Sequence, residues 1–344
     1  MHGDLFLSMC EPKTIWWDGG LWLIDQTCLP GELMPLCMKS VRQLIEAIKS
    51  LRVRGAPALG AAGAYGIALA AELSGASNSL EMMAELETAA DMIKASRPTA
   101  INLSWGVDKV MRAAALQETA EEIRKAALRE AKDIAEEDIR INKLLGKNGA
   151  RLLDDGDNVL THCNAGRLAC VGWGTALGVV RSAVASGKHI HVYACETRPL
   201  HQGSRLTAWE LAQDEIPVTL ICDSMSGSLM RKGKINKVIV GADRITRDAV
   251  FNKIGTYSHA VLARYHKIPF YVAAPLSTFD RLHEEDDIVV EERDAEEICT
   301  LAGMRLAPQG IEVYNPAFDA TPLELVSGLI TEKGVFRPPL MPPI

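Results

Sequence analysis

The sequence predicts an α/β protein in which a mostly helical N-terminal domain with a small β-hairpin precedes a Rossmann-like domain, a doubly wound parallel sheet. Helical periodicity dominates the chain up to residue 148, whereas short apolar runs alternate with helical stretches from residue 157 onward. Strands that are buried on both faces are apolar throughout, and helices between them imply right-handed parallel crossovers. We therefore place the two domains at residues 1–148 and 149–344.

The N-terminal domain opens with a predicted hairpin, because two apolar runs flank the Gly19–Gly20 pair in KTIWWDGGLWLID. Helical patterns follow in SVRQLIEAIKSL, in PALGAAGAYGIALAAEL, in SLEMMAELETAADMIKAS and in a charged segment from about residue 107 to 147. This last segment is rich in Ala, Glu, Lys and Arg, which favours long helices with solvated faces. We expect it to link the two domains.

The C-terminal domain contains five runs typical of buried strands: NVLTHC, HIHVYAC, VTLICD, KVIVGAD and IPFYVAAP. The segment VGWGTALG, residues 171–178, partly matches a dinucleotide-binding fingerprint, but its spacing is GxGxxxG and we place it inside the helix after Cys163. We prefer a structural interpretation to a dinucleotide site: the small residues let this helix pack closely on the sheet. The proline-rich tail VFRPPLMPPI is expected to be irregular.

Composition and charge exclude several classes of protein. The 344 residues are 48% apolar and 24% charged, which is ordinary for a soluble globular protein with two cores. The apolar run at residues 58–73 is shorter than a membrane span of about 20 residues, so we predict a buried helix and no membrane association. The first residues, MHGDLFLSMCEPK, lack the basic and apolar pattern of a signal peptide, and a cytoplasmic protein is expected. A net charge of -7 argues against nucleic-acid binding.

The cysteines predict reduced thiols. They form no CxxC pair and no Cys/His spacing typical of a metal site, so the sequence signals neither a disulfide framework nor a zinc site. The eight positions are Cys10, Cys28, Cys37, Cys163, Cys170, Cys195, Cys222 and Cys299.

Polar groups follow four consecutive predicted strands: Cys163, the Glu196–Arg198 segment, Asp223 and Asp243. Ligands of such sheets bind beyond the carboxyl ends of the strands, so this row predicts a site. Cys163 is expected beside Asp243 if their strands are near neighbours, although an unpaired cysteine is more often a small core residue.

Other polar residues near these strand ends have structural alternatives. Glu196 and Arg198 could pair with each other or with a second subunit, and Asp223 could accept hydrogen bonds from a neighbouring turn. His162 points to the opposite side of its strand from Cys163, which favours a core or interface histidine. A role for His201 in a pocket stays open.

Several motifs resemble the methylthioribose-1-phosphate isomerase family over nearly the whole chain. They are VRGAPALGAAGAYG, SRPTAINLSW, THCNAG, ETRPLHQGSRLTAWEL, VGADRI, NKIGTY, FYVAAPLSTFD, IVVEERD and YNPAFDATP. The same superfamily contains the regulatory subunits of translation initiation factor 2B and ribose-1,5-bisphosphate isomerase. The resemblance therefore specifies the fold more securely than the substrate.

The resemblance implies the roles of particular residues. It implies that Cys163 and Asp243 are the catalytic pair. It also implies a phosphate-binding set made of Arg54, Gly55, Ala56, Arg97, Gln202, Asn252 and Lys253. A few focused cations suit an acidic protein that binds a sugar phosphate, because arginine and lysine make charge-assisted bonds to a phosphate dianion. For Arg97 alone, a surface arginine at a helix end before Pro98 is the ordinary alternative.

The function that the resemblance implies is isomerisation of 5-methylthioribose 1-phosphate to 5-methylthioribulose 1-phosphate in methionine salvage, without a metal or cofactor and by a homodimer. The apolar segments LTAWELAQ and YSHAVLARYH are candidates for the dimer surface. The short TRDAVF connection and the DSMSG segment depart from the family pattern. A related substrate, 5-deoxyribose 1-phosphate or ribose 1,5-bisphosphate, is therefore an alternative, as is a non-catalytic regulatory subunit of the initiation factor 2B type.

The expected chemistry assigns an acid to Asp243. Opening of the sugar ring requires protonation of the ring oxygen, and desolvation could raise the pKa of a carboxyl group so that it is protonated near neutral pH. We therefore expect Asp243 to be largely buried. Cys163 is expected on the C2 or O2 side of the sugar.

Overall fold

The computed structural model describes residues 12–98 and 100–343. Most of the segment that bears on a signal peptide, together with Cys10 and Thr99, lies outside the described residues. The described chain forms two compact units. The first unit extends to Lys143 and includes Gly166–Gly174, and the second comprises Leu144–Ala165 and the chain from Thr175 onward.

The first unit contains a three-stranded antiparallel sheet and a set of long helices. The strands are β1 (Ile15–Trp17), β2 (Leu21–Ile24) and β3 (Pro35–Met38), in the order β1-β2-β3. The predicted hairpin around Gly19–Gly20 is confirmed, since Ile15 pairs with Leu23 across the turn. The helices are α1 (Val41–Lys49), α2 (Ala56–Leu73), α3 (Ser79–Ser96), α4 (Ile101–Ala114) and α5 (Ala120–Ala150), of which α5 continues into the second unit.

Helix α2 is the central core helix of the first unit. By length and hydropathy alone it could span a membrane, but 72% of it is buried inside the protein, which confirms the predicted buried helix. Its small residues permit very close helix packing: a Cβ atom added to Gly106 of α4 would lie 2.0 Å from the carbonyl oxygen of Gly60 in α2. The glycines are therefore required by the contact between these two helices.

The charged segment that follows α3 forms two helices rather than one continuous helix. Helix α4 ends at Ala114 and α5 begins at Ala120. Thr119 and Glu122 form a capping box between them: the Thr119 hydroxyl accepts the Glu122 N–H at 3.2 Å, and the Glu122 carboxylate accepts the Thr119 N–H at 3.1 Å. These bonds satisfy backbone donors at the start of α5 and fix its first residue.

The second unit is built on a seven-stranded sheet. Its strand order is β15-β14-β10-β7-β4-β5-β6, and all pairs are parallel except β14 with β15. The strands are β4 (Asn158–Thr161), β5 (His191–Cys195), β6 (Val218–Ile221), β7 (Lys237–Val240), β10 (Phe270–Ala273), β14 (Gly328–Thr331) and β15 (Gly334–Phe336). The five runs predicted as buried strands are all confirmed. The tail is not irregular from its start, because Val335 and Phe336 belong to β15.

Shorter elements complete this unit. A second antiparallel sheet has the order β13-β9-β8, with β8 (Arg244–Ile245), β9 (Ala249–Lys253) and β13 (Phe318–Pro322), and β11 (Thr300–Leu301) pairs with β12 (Met304–Arg305). The helices are α6 (Ala176–Ala185), α7 (Ala208–Gln213), α8 (Ser226–Arg231), α9 (Thr256–Tyr265) and α10 (Glu296–Cys299). The predicted doubly wound α/β fold is therefore present.

The placement of VGWGTALG inside a helix is wrong for its first half. Helix α6 begins only at Ala176. Before it, Trp173 and Gly174 have φ angles of 64° and 89°, which a right-handed helix does not accommodate. A Cβ atom at Gly174 would lie 2.5 Å from the carbonyl carbon of Gly166, so this glycine serves a tight backbone contact in a loop.

Candidate active site

The structure places the two predicted catalytic residues after adjacent strands. Strands β4 and β7 are parallel neighbours, with Leu160 opposite Val238. Cys163 follows β4 and Asp243 follows β7, so both lie at the carboxyl edge of the sheet. The segments that carry these two residues pack tightly against each other, because a Cβ atom added to Gly241 would lie 2.7 Å from the Cβ atom of Ala165. The sequence analysis expected Cys163 beside Asp243 if their strands were near neighbours, and β4 and β7 are adjacent.

The backbone of Cys163 is held in an unusual conformation. Its φ angle is 63°, in the left-handed region that costs a non-glycine residue about 1–3 kcal/mol. Two threonine hydroxyls fix it there: the Cys163 N–H donates to Thr197 Oγ1 at 2.9 Å, and the Cys163 carbonyl accepts from Thr207 Oγ1 at 2.7 Å. The side chain is half-buried. The local backbone thus presents the thiol in one defined direction.

Asp223 holds the loop that carries Thr197. Its carboxylate accepts the backbone N–H groups of Thr197 and Arg198, each at 2.8 Å, which confirms its predicted role as an acceptor for a neighbouring turn. Thr197 is fully buried, has a φ angle of 67° and donates its hydroxyl to the Cys195 carbonyl at 3.0 Å. A chain of contacts therefore runs from Asp223 through Thr197 to the backbone of Cys163.

Removal of the Thr197 hydroxyl is expected to disturb this chain. In Thr197→Val the Cys163 N–H loses its acceptor, which costs about 1–3 kcal/mol of folding stability for a buried group. Turnover should fall more than substrate affinity, since the thiol is displaced while the phosphate contacts stay. Thr197→Ser keeps the hydroxyl and should restore turnover. Steady-state kinetics and denaturant unfolding measure both effects, and a valine variant with unchanged kcat would contradict the positioning role.

Asp243 lies at the base of a hairpin and is half-buried, so the prediction that it is largely buried is wrong. Its N–H donates to the Phe251 carbonyl at 2.9 Å, and the next residue, Arg244, pairs with Phe251, which directly precedes Asn252 in β9. The hairpin connection is short: Thr246 Oγ1 donates to Asp248 and accepts the Ala249 N–H. Strand β9 thereby brings two predicted phosphate-binding residues next to the predicted acid.

Those two residues, Asn252 and Lys253, are buried. The Asn252 amide donates to Thr256 Oγ1 at 3.0 Å, and Lys253 Nζ donates to the Ala317 carbonyl at 2.9 Å and lies 5.1 Å from the Phe318 ring centroid. The ammonium group thus contacts one carbonyl oxygen and one ring face, and the Asp319 carboxylate acts on it electrostatically. A phosphate oxygen is the kind of group that would complete its coordination.

The start of α9 is fixed by a buried carboxylate. Asp319 accepts the backbone N–H groups of Gly255 and Tyr257 at 2.7 and 3.2 Å. Burial raises the pKa of Asp319 to about 6, against the lowering effect of these hydrogen bonds. The turn between Lys253 and α9 is therefore held in place by β13.

Gln202 is the fifth predicted residue at this edge. It is 7% exposed, and its side-chain Oε1 has no hydrogen-bond partner among the described residues. It precedes a π-helical turn, Gly203–Thr207, a kind of turn that is frequent at functional sites. A Cβ atom at Gly203 would lie 1.6 Å from the Cys195 carbonyl oxygen, so the turn packs directly on the end of β5. A buried amide oxygen without a partner is suited to a ligand hydroxyl.

The other four predicted phosphate-binding residues lie in the first unit. Arg54 donates from Nε to Gln26 Oε1 at 3.0 Å. Gly55 has a φ angle of 97° and caps α2, which begins at Ala56 without a side-chain cap, so backbone N–H groups at this helix end are available to an anion. Arg97 is half-buried and terminates α3.

The remaining strand-end residues have structural partners. His162 is buried and its Nε2 donates to the Ile254 carbonyl at 2.8 Å, which confirms a satisfied core histidine. Arg198 donates to the carbonyls of Pro199 and Ile298 rather than to Glu196. Glu196 lies 3.7 Å from Nδ1 of His201, whose φ angle is 56°. Burial lowers the pKa of His201, as does Arg198.

Sequence reasoning missed a buried polar group behind Cys163. Asn164 donates to Thr207 Oγ1 and to Glu210 Oε1, at 3.1 and 3.0 Å. Glu210 is fully buried and pairs with Arg181, which also binds Asp214. The only signal in the sequence is a charged residue at an otherwise apolar position of each helix, α6 and α7.

The fold and the row of polar groups at the strand ends are those of α/β enzymes, a class in which small ligands bind beyond the carboxyl ends of parallel strands. The chain belongs to the initiation factor 2 subunit family, IF-2B, whose model matches residues 52–338.

Its relatives include proteins named as isomerases. It is 52% identical over 326 residues to a methylthioribose-1-phosphate isomerase of Pelotomaculum thermopropionicum, covering 94% of this chain and 90% of that protein. The structure of 5-methylthioribose 1-phosphate isomerase from Pyrococcus horikoshii OT3 matches with a TM-score of 0.91 and 43% identity, covering 95% of this chain and 93% of the other. A structure from A. fulgidus, described as the delta subunit of translation initiation factor eIF-2B, matches with a TM-score of 0.89 and 58% identity, covering 95% and 96%.

Proposed function

We propose that this protein is an aldose–ketose isomerase that converts 5-methylthioribose 1-phosphate to 5-methylthioribulose 1-phosphate in methionine salvage. The observation that carries the proposal is the position of Cys163 and Asp243 after the adjacent strands β4 and β7. The names of relatives at 52% and 43% identity over nearly the full chain support the same reaction.

The chemistry assigns separate tasks to the two residues. The phosphate on C1 prevents spontaneous opening of the sugar ring to an aldehyde, so an acid must protonate the ring oxygen while its bond to C1 breaks. We assign this proton to Asp243, which is half-buried beside the apolar end of β7. Cys163 is assigned to the C2 and O2 side. We assign phosphate binding to Arg54, Gly55, Ala56, Arg97, Gln202, Asn252 and Lys253, as the family resemblance implies.

Hydrogen can move from C2 to C1 by two routes. In one, the Cys163 thiolate removes the C2 proton to give an enol phosphate, and a proton returns to C1. In the other, ionised Asp243 takes the O2 proton while C2 passes a hydride to the cationic C1, which requires a dry apolar enclosure. Gly166, Val240 and Gly241 are buried near the two groups, and Ala165 and Ala242 are half-buried. We therefore propose the hydride shift.

One isotope experiment tests both the reaction and the route. The purified chain is incubated in ordinary water with 5-methylthioribose 1-phosphate deuterated at C2, and the product is followed by NMR. We expect the ketose to form with deuterium retained at C1. Washout of deuterium at low conversion would exclude the hydride shift and assign Cys163 as the base. Absence of any ketose would contradict the isomerase itself.

The A. fulgidus structure gives a specific reason to test a second function, a regulatory subunit, because its description names an initiation factor. A sensor needs a ligand-binding site but no acid and no thiol at the strand ends. Substrate turnover by the wild-type chain, lost in Cys163 variants, therefore separates the two functions. Related pentose 1-phosphates belong in the same assay, since the TRDAVF connection at residues 246–251 and the DSMSG segment at residues 223–227 depart from the family pattern.

We also propose that the protein is a cytoplasmic homodimer. Exposed apolar side chains on α9, Tyr257 and Val261, together with Tyr265 at its end, are 45%, 40% and 80% exposed and could contribute to a subunit interface. Light scattering at micromolar concentration is expected to give twice the mass of the 37.4 kDa chain. A monomer in that measurement would refute the dimer without affecting the proposed reaction.

A further inference from the structure

The fold brings together three buried ligand-type side chains that are far apart in sequence. His162 follows β4, Cys195 ends β5 and His259 lies in α9, and their exposed fractions are 1%, 0% and 2%. One nitrogen or sulfur atom from each lies within 4.8 Å of the others. The proposed reaction uses none of these three groups. Their spacing in the sequence could not reveal the cluster, because each residue comes from a different element.

Two of the three distances within this His162–Cys195–His259 cluster, both from His259, match those of a metal site. His259 Nε2 lies 3.2 Å from His162 Nδ1 and 3.6 Å from Cys195 Sγ. A tetrahedral Zn²⁺ with bonds of about 2.0–2.1 Å to nitrogen and about 2.3 Å to sulfur places neighbouring ligand atoms about 3.3–3.6 Å apart. Two imidazoles and a thiolate are also the donor types that zinc prefers.

In both histidines, the ring nitrogen that points away from the cluster has a hydrogen-bond partner, as is usual for histidines that bind a metal. His162 Nε2 donates to the Ile254 carbonyl at 2.8 Å, which leaves Nδ1 as the free lone pair facing the cluster. His259 Nδ1 lies 3.0 Å from Ser226 Oγ, which in turn donates to the Asp223 carbonyl at 3.2 Å. With a cation on His259 Nε2, the Nδ1–H donates to Ser226, and every proton in this chain has an acceptor.

A negative charge lies beside the same nitrogen atoms. The Asp223 carboxylate is 3.7 Å from His162 Nδ1, and its side chain is 28% exposed, so it connects the buried cluster with solvent. Asp223 and a Cys195 thiolate together balance the charge of a divalent cation.

We propose that His162, Cys195 and His259 are the three protein ligands of a structural site for a thiophilic divalent cation, Zn²⁺, with the negative charge of Asp223 nearby. Binding releases the Cys195 thiol proton to solvent. His162 keeps its proton on Nε2, and the His259 proton moves from Nε2, where it faces His162 Nδ1, to Nδ1, where Ser226 Oγ accepts it. The cation ties the ends of β4 and β5 to α9. This site is separate from the assignment of Cys163 and Asp243 to the reaction.

Cobalt substitution tests the site on the full chain. Co²⁺ is supplied both during expression and to the purified protein, excess metal is removed by gel filtration, and the bound metal is quantified. We expect one cobalt ion per chain with a sulfur-to-cobalt charge-transfer band and the intense visible bands of tetrahedral coordination. A wild-type chain that retains no cobalt by either route, or that retains it without the sulfur band, overturns the proposal.

Matched variants identify the thiol. Cys195→Ser and His259→Gln are expected to lose the charge-transfer band, whereas Cys222→Ser and Cys299→Ser, which change an exposed and another buried thiol, are expected to keep it. Circular dichroism confirms that each variant is folded. If the band survives in Cys195→Ser and disappears in Cys222→Ser, cobalt binds adventitiously at the surface and the cluster is a hydrogen-bonded core. Isomerase activity is a separate readout, so its failure would not decide this test.

Discussion

Cys163→Ala and Asp243→Asn are each expected to lose most of the turnover while retaining substrate binding. A positioned acid or base contributes about 10²–10⁴-fold to rate, so kcat should fall by about that factor in Asp243→Asn. The phosphate contacts are made by other residues and persist in both variants. Calorimetry should therefore show nearly unchanged substrate affinity beside the loss of kcat. Retained turnover in either variant would remove that residue from the chemistry.

Arg97→Ala provides the contrasting control. A contact to phosphate is present in the ground state and the transition state alike, so its loss should raise KM or weaken binding while kcat changes little. An Arg97 variant that behaves like Cys163→Ala, with kcat lost and affinity kept, would contradict the assignment of Arg97 to phosphate binding.

Arg181→Met is expected to cause the largest loss of stability. Arg181 is 6% exposed and pairs at 2.6 Å with Glu210, which is fully buried, and with Asp214. Breaking a buried ion pair by removing one partner leaves an uncompensated charge and costs about 3–5 kcal/mol. Denaturant unfolding, with the midpoint and slope both reported, measures the change in the free energy of unfolding.

Two further variants separate the buried charge from the loss of packing. Arg181→Met combined with Glu210→Gln removes the stranded carboxylate but keeps an acceptor for Asn164, and should recover more than half of the loss. Arg140→Met makes the same substitution in an exposed ion pair with Glu137, where little change is expected. If Arg181→Met is as mild as Arg140→Met, the buried network does not stabilise the fold.

The sequence could predict the fold because the two periodicities are well separated along the chain. Strand β7 is buried at all four positions and apolar after Lys237, and α2 is a nearly continuous run of small apolar residues. The capping box formed by Thr119 and Glu122 is also a recognisable sequence pattern. The long charged segment around it nevertheless suggested a continuous helical stretch rather than a helix start at Ala120. The loop at Trp173 and Gly174 could not be predicted, because their positive φ angles accompany a close tertiary contact between Gly174 and Gly166.

The candidate site was predictable only where residues follow strands. Cys163, Asp223 and Asp243 lie two, two and three positions after β4, β6 and β7, so strand prediction alone places them at one edge. The hydroxyls of Thr197 and Thr207 act on Cys163 through hydrogen bonds that span 34 and 44 positions of sequence, and no local pattern encodes such contacts. The His162–Cys195–His259 cluster was hidden for the same reason.

Three non-glycine residues near this edge, Cys163, Thr197 and His201, have φ angles between 56° and 67°. Each costs about 1–3 kcal/mol relative to a relaxed backbone, and glycine or asparagine would occupy the same conformation with less strain. Such conformations persist where the surrounding structure holds them, and they cluster at active sites, where stability and activity can favour different residues. The strand ends of this protein are thus a region where selection for heat resistance and selection for turnover favour different residues.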